Sequence, residues 1–240
     1  MNDFPDSRFR DFQRPPSEPI LNLPKPVSNA LIALIGVHII TILLPGQLYN
    51  WVLLVFSVIP GRVTLLFLND FSLGGALQAG IGLIGYQFLH SGWMHLLMNC
   101  AWLAVFGTAV AYRFGASPAA RTRFYVFALI CGVAGALTHI LIYSSSFVPL
   151  VGASAAIAGL MGAALRIMFV SPMAYWRDGQ PLADIGDKRV LIFAGVYILL
   201  NLLTGVFGFG DVMGAGQIAW QAHLGGFFTG LFLIQSFSRG

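Results

Sequence analysis

Charge is what this sequence has least of. Only 9% of its 240 residues are Asp, Glu, Lys or Arg, against roughly 25% in an ordinary soluble domain. A chain so poor in hydrated groups cannot cover a globular surface of its own size, which excludes a free-standing water-soluble domain. Cysteine is nearly absent too, with 2 in the whole chain. Cys100 and Cys131 lie inside apolar stretches with no CxxC spacing, so neither a disulfide framework nor a thiolate metal centre is expected, only two buried thiols. His90 and His95 are five apart, off the i,i+4 spacing that puts two ligands on one helix face, and no carboxylate is near. The sequence therefore predicts no metal and no cofactor.

What fills the chain instead is hydrocarbon and glycine. It is 57% hydrophobic with 28 glycines, and its mean hydropathy is +0.79. Residues 1–26 are the exception, polar and broken by Pro5, Pro15, Pro16, Pro19, Pro24 and Pro26. They read as a disordered proline-rich cytoplasmic tail and not as a secretory signal, because no basic segment leads into a short apolar core with a cleavage site. After the tail, apolar spans are predicted at about 27–44, 93–112, 122–143, 152–170, 190–210 and 217–236, each near the ~20 residues that carry a helix across ~30 Å of hydrocarbon. Residues 45–90 are apolar but punctuated by Pro45-Gly46, Pro60-Gly61, Arg62, Asp70 and Gly74-Gly75, and are expected as a long loop of short helices on the outer membrane face.

The expected fold is thus an all-α polytopic membrane protein, a six-helix membrane domain over 27–236 with both termini cytoplasmic. The basic residues support that topology. With the N-terminus inside, every one of the 13 except Arg62 falls on the inner side, as the positive-inside bias requires, and a seventh crossing at 51–68 would scramble the sorting. The isoelectric point near 9.3 then reports topology and contact with anionic lipid, not nucleic-acid binding.

In this topology the second, fourth and sixth helices all run from outside to inside. His95 and Asn99 fall early in the second, Ser154 early in the fourth and His223 early in the sixth, so four chemically active groups share one depth below the outer surface. His95 and Asn99 are i and i+4 and share a face. His223, Gly226 and Gly230 are i, i+3 and i+7, so the glycines continue the stripe that carries the histidine. The fourth helix is small-sided as well, with Ala155, Ala158, Gly159, Gly162 and Ala163 following Gly152 and Ser154. Small residues on both partners let membrane helices touch closely, and a Ser–His hydrogen bond between helices needs that closeness. Singly, each polar residue has a plainer reading. A serine in a membrane helix usually bonds back to its own carbonyls, and Asn99 alone would be interhelical glue. His38, His90 and His139 lack the shared context and read as structural or loop residues.

At these residues the chain resembles the rhomboid family of intramembrane serine proteases. The resemblance covers about 27–236 and is carried by His90-Ser91-Gly92-Trp93-Met94-His95-Leu96-Leu97-Met98-Asn99, by Gly152-Ala153-Ser154-Ala155, and by Ala222-His223-Leu224-Gly225-Gly226 with Gly230. It implies a serine endopeptidase working through a Ser154–His223 dyad, with His95, Asn99 and the Ser154 backbone N–H as oxyanion donors. It also implies membrane-anchored protein substrates cut near the outer leaflet. The chain departs from the pattern in three places: Arg62 has no tryptophan before it, Ala155 stands where glycine often follows the nucleophile, and Ala158 stands where many members stack an aromatic ring on the histidine. The third departure leaves unassigned what orients His223. Asp211, twelve residues before His223, is too far along the chain to complete a triad.

Two other classes compete with this reading. A catalytically inactive rhomboid-like binder of membrane clients would normally have lost the serine or the histidine, and both are present. A small transporter would call for ionisable residues spread through the bundle or an internal repeat, whereas the acidic residues all fall in loops or tails. The expected partners are transmembrane protein substrates and the bilayer, and the expected location is a bacterial inner membrane.

Overall fold

The computed structural model describes residues 22–69, 71–170, 181–206 and 218–238. Among them the regular secondary structure is helical, apart from one isolated antiparallel bridge between Val58 and Leu150. The helices are α1 (Lys25–Ile42), α2 (Gly46–Phe56), α3 (Pro60–Leu68), α4 (Leu73–Gly85), α5 (Trp93–Phe114, with a π-helical turn at Leu103–Gly107), α6 (Pro118–Ile142), α7 (Ser154–Met168), α8 (Lys188–Val206) and α9 (Trp220–Phe237). Local sequence sets their ends. Pro26, Pro60 and Pro118 open α1, α3 and α6 in the first turn, where a missing N–H costs nothing. The Ser117 hydroxyl accepts the Ala120 N–H at 3.1 Å as an N-cap for α6.

Four of these helices, Lys25–Ile42, Trp93–Phe114, Pro118–Ile142 and the stretch Lys188–Gly205, are long and apolar enough to cross a membrane. Large apolar side chains such as Ile32, Leu141 and Phe193 stand exposed on them, as they must where the solvent is lipid. α7 and α9 differ for a physical reason. α7 has 15 residues, and 11 of them are buried; a helix wrapped by others need not match the bilayer in length. α9 has 18 residues but is diluted by Gln221, His223 and three glycines, polarity that is tolerated because it faces protein.

Pairs of contacting residues fix the chain directions. Gly107 lies against Val27 and Trp93 against His38, so α1 and α5 are antiparallel. Gly135 lies against Ala155 and Gly159 against Cys131, so α6 and α7 are antiparallel. Gly226 meets the backbone of Ala155 and Gly230 that of Gly159, equal steps that make α7 and α9 parallel. Tyr197 stacks on Phe227 at 4.5 Å while Gly205 lies under the Trp220 ring, so α8 and α9 are antiparallel. α7 sits at the centre of this bundle, packed chiefly on α9 and α6. At its far end the buried Arg166 donates from Nε to the Ala183 carbonyl at 2.9 Å, which holds the segment leading into α8. That segment is capped by Asp187, whose carboxylate accepts from Arg189 at 2.8 Å. The same Arg189 hydrogen bonds hold the partly exposed Asp187 carboxyl down at about 2.

One helix start departs from the sequence expectation for a local reason. α7 begins at Ser154 and not at 152, because Gly152 has φ +121° and cannot be a helical residue. α8 is described to Val206, and the predicted stretch to 210, like the tail 1–21 and Asp211, lies outside the described residues. Between α1 and α5 stand three helices of 11, 9 and 13 residues. They are interrupted at Ser57–Ile59, where Val58 leaves the helix to bridge Leu150.

Candidate active site

The N-terminus of α7 is pinned before it begins. Leu150 donates to the Val58 carbonyl at 2.8 Å, and Gly152 donates to the Tyr86 carbonyl at 2.8 Å. Tyr86 is itself anchored through its hydroxyl to the Gly132 carbonyl at 2.7 Å. Held this way, the positive φ of Gly152 turns the chain sharply into the helix at Ser154. The first backward helical bond of α7 is Ile157 N–H to Ala153 carbonyl at 3.0 Å. The N–H groups of Ser154 and Ala155 precede it and have no intrahelical acceptor, the usual condition of a first turn.

His95 comes to the same place from α5. A Cβ placed on Gly152 would stand 2.7 Å from His95 Nε2 and 3.7 Å from Ser154 Oγ, so the imidazole edge, the serine hydroxyl and the Gly152 backbone crowd around one point. The other ring nitrogen, Nδ1, lies 3.1 Å from Ser91 Oγ. One turn further along α5, Asn99 is buried, and its Nδ2 donates to the His95 carbonyl at 2.9 Å. An amide nitrogen has two hydrogens, so one remains for another acceptor.

His223 arrives on α9. The equal steps Ala155/Gly226 and Gly159/Gly230 extrapolate to His223 level with Gly152–Ser154, and the approach is close because a Cβ on either Gly226 or Gly230 would overlap the carbonyl oxygen opposite. The His223 ring nitrogen Nδ1 lies 2.9 Å from Asn201 Oδ1 on α8. Sequence reasoning missed Asn201. An isolated asparagine in an apolar run carries no signal of its own, and only the antiparallel register of α8 and α9 brings it to the histidine.

The other histidines divide differently from their sequence spacing. His139 Nδ1 pairs with the buried Gln221 Oε1 at 3.3 Å and its ring stacks on Tyr143. His38 and His90 are buried and form edge contacts, His38 with Trp93 at 4.8 Å and His90 with His95 at 5.1 Å. His38 and His90 thus pack as the wall behind His95. Among the described residues no three His, Cys, Asp or Glu side chains are arranged to hold a metal ion. Cys131 is fully buried and Cys100 partly so, both as free thiols.

A serine at a helix N-terminus, orphan N–H groups beside it and an imidazole level with it are the parts of an acyl-transfer site. Comparison with known proteins gives the family. The family model of the Rhomboid domain matches residues 77–240. The chain is similar to RHOMBOID-like protein 7 of Arabidopsis thaliana, 30% identical over 151 residues, which cover 63% of this chain and 41% of that protein. It is similar as well to RHOMBOID-like protein 4 of the same plant, 32% identical over 154 residues, 64% of this chain and 33% of that protein. A third relative is RHOMBOID-like protein 6, mitochondrial, also of Arabidopsis thaliana, 30% identical over 152 residues, 63% of this chain and 41% of that protein. The chain spans less than half the length of these curated relatives.

Proposed function

The chain belongs to the rhomboid family of multi-pass membrane proteins, and on that premise we propose that it is an intramembrane serine endopeptidase using Ser154 as nucleophile and His223 as general base and acid. Its substrates in this reading are transmembrane proteins, cut near the outer-leaflet end of their spans. The observation that supports the proposal is the parallel register of α7 and α9, a glycine-thin contact in which His223 is level with Ser154. The chemistry follows from the parts. Ser154 Oγ attacks the peptide carbonyl while His223 takes its proton. The oxyanion gathers hydrogen bonds from the Ser154 backbone N–H, His95 and Asn99 in a medium where such donors act more strongly than in water. His223 returns the proton to the leaving amine, and a water molecule entering from the outer side repeats the sequence on the acyl-enzyme.

The same reading assigns six crossings, with α1, α5, α6, α7, α8 and α9 spanning the bilayer in alternating directions and both termini cytoplasmic. Alternating directions and the sorting of basic residues support it. The named relatives are plant proteins, and they lend nothing to a bacterial inner membrane.

Reconstitution into liposomes with a single-span substrate tests the proposal. Wild type cleaves it. Ser154→Ala and His223→Ala each insert normally and lose all but about a few per cent of activity, because nucleophile and base act as one unit. Substantial cleavage by either variant would mean that the residue was misassigned.

A further inference from the structure

Asn201 lies on α8, 93% shielded, and its two amide atoms have separate partners. Nδ2 donates to the Tyr197 carbonyl one turn back at 2.9 Å. Oδ1 lies 2.9 Å from His223 Nδ1. The orientation of the amide follows from the first contact. A carbonyl oxygen only accepts, so the atom facing Tyr197 must be the NH2 group, and a flipped amide would set two oxygens against each other. The atom facing His223 is therefore an oxygen, which also only accepts. For that contact to be a hydrogen bond the proton must sit on His223 Nδ1, which leaves the lone pair on Nε2.

We infer that Asn201 is the positioning residue of the active site, holding His223 in the tautomer whose Nε2 is free to take the serine proton. The inference rests on the proposed role of His223 as base and adds what selects its reactive nitrogen. The frame around the bond is rigid. Tyr197 stacks on Phe227 at 4.5 Å one turn to one side, and Gly205 lies flat under Trp220 one turn to the other, so α8 cannot slide along α9 without breaking both contacts. The ring is thus fixed by a neutral amide on a neighbouring helix. A neutral acceptor suits a site within hydrocarbon, where an unpaired carboxylate is expensive to keep ionised. Asn201 touches no reacting atom in this arrangement and acts only through the imidazole.

Two measurements test it. Nitrogen-15 spectra of histidine-labelled wild-type protein should show His223 protonated at Nδ1; the Nε2-protonated tautomer would overturn the inference without touching any variant. In the cleavage assay, Asn201→Leu should lower kcat roughly 10- to 100-fold, a part of what a positioned base contributes, with KM unchanged and thermal unfolding close to wild type. Asn201→Asp, which in its neutral, protonated form keeps a donor toward the Tyr197 carbonyl and an acceptor toward His223, should recover most of that loss. If Asn201→Leu keeps wild-type kcat while His223→Ala is inactive, the positioning role falls and the protease reading stands. If His223→Ala is itself active, the protease reading falls first.

Discussion

Asn99 donates one amide hydrogen to the His95 carbonyl in its own helix, and the use of the other separates catalysis from packing. If that hydrogen reaches the developing oxyanion, Asn99→Ala lowers kcat by something like 10²-fold with little change in KM, since the interaction strengthens only in the transition state. Steady-state kinetics beside a melting curve decide the matter: wild-type turnover with a lower melting temperature would make Asn99 structural glue. Gly152 is a second residue-scale test. Any side chain there meets both a positive φ and the His95 ring. Gly152→Ala should therefore destabilise the protein by about 1–3 kcal/mol and displace the imidazole, abolishing cleavage in a protein that still inserts. The candidate site residues could be singled out in the sequence because their types and spacings are unusual in hydrocarbon. Asn201 was not, since nothing within α8 marks it. Ala158, too small to hold an imidazole, signalled only that some other residue must do so.

Helix contacts carry the site at the next scale. The glycine stripe of α9 was readable from spacing, because i, i+3 and i+7 fall on one face whatever the partner. The partner's register was not, and it matters most: Gly226 and Gly230 meet carbonyl oxygens of Ala155 and Gly159, backbone atoms that cannot rotate away. Gly230→Ala, seven residues and nearly two turns from His223, should force the helices apart. A cost of about 1–3 kcal/mol is expected for such overpacking. Thermal unfolding in detergent should fall, and activity with it, although no catalytic atom is altered. An unchanged melting temperature would mean that the two helices do not pack this closely. The span lengths illustrate the opposite limit of sequence reading. Hydropathy located all six stretches but not their unlike lengths: α1, α5, α6 and α8 are long and apolar enough to face lipid, whereas α7 and α9 are short or diluted because neighbours shield them. The start of α7 was misread by two residues because composition does not reveal the positive φ of Gly152.

For the whole molecule, Ser154, His223 and His95 share one depth only if α5, α7 and α9 enter the bilayer from the same side. Single cysteines replacing Ser145, between α6 and α7, and Ala116, between α5 and α6, should react with a membrane-impermeant thiol reagent from opposite sides, Ser145→Cys from outside. Labelling of both from one face would remove the shared depth of Ser154, His223 and His95. The most direct measurement of the central claim is on the serine itself. A fluorophosphonate probe applied to the intact protein in membranes should form a covalent adduct that mass spectrometry locates on Ser154, and the adduct should be absent from Ser154→Ala and much reduced in His223→Ala, since the hydroxyl reacts only with its base in place. An inserted, folded wild-type protein whose Ser154 stays unlabelled, or which labels equally well without His223, would contradict the account.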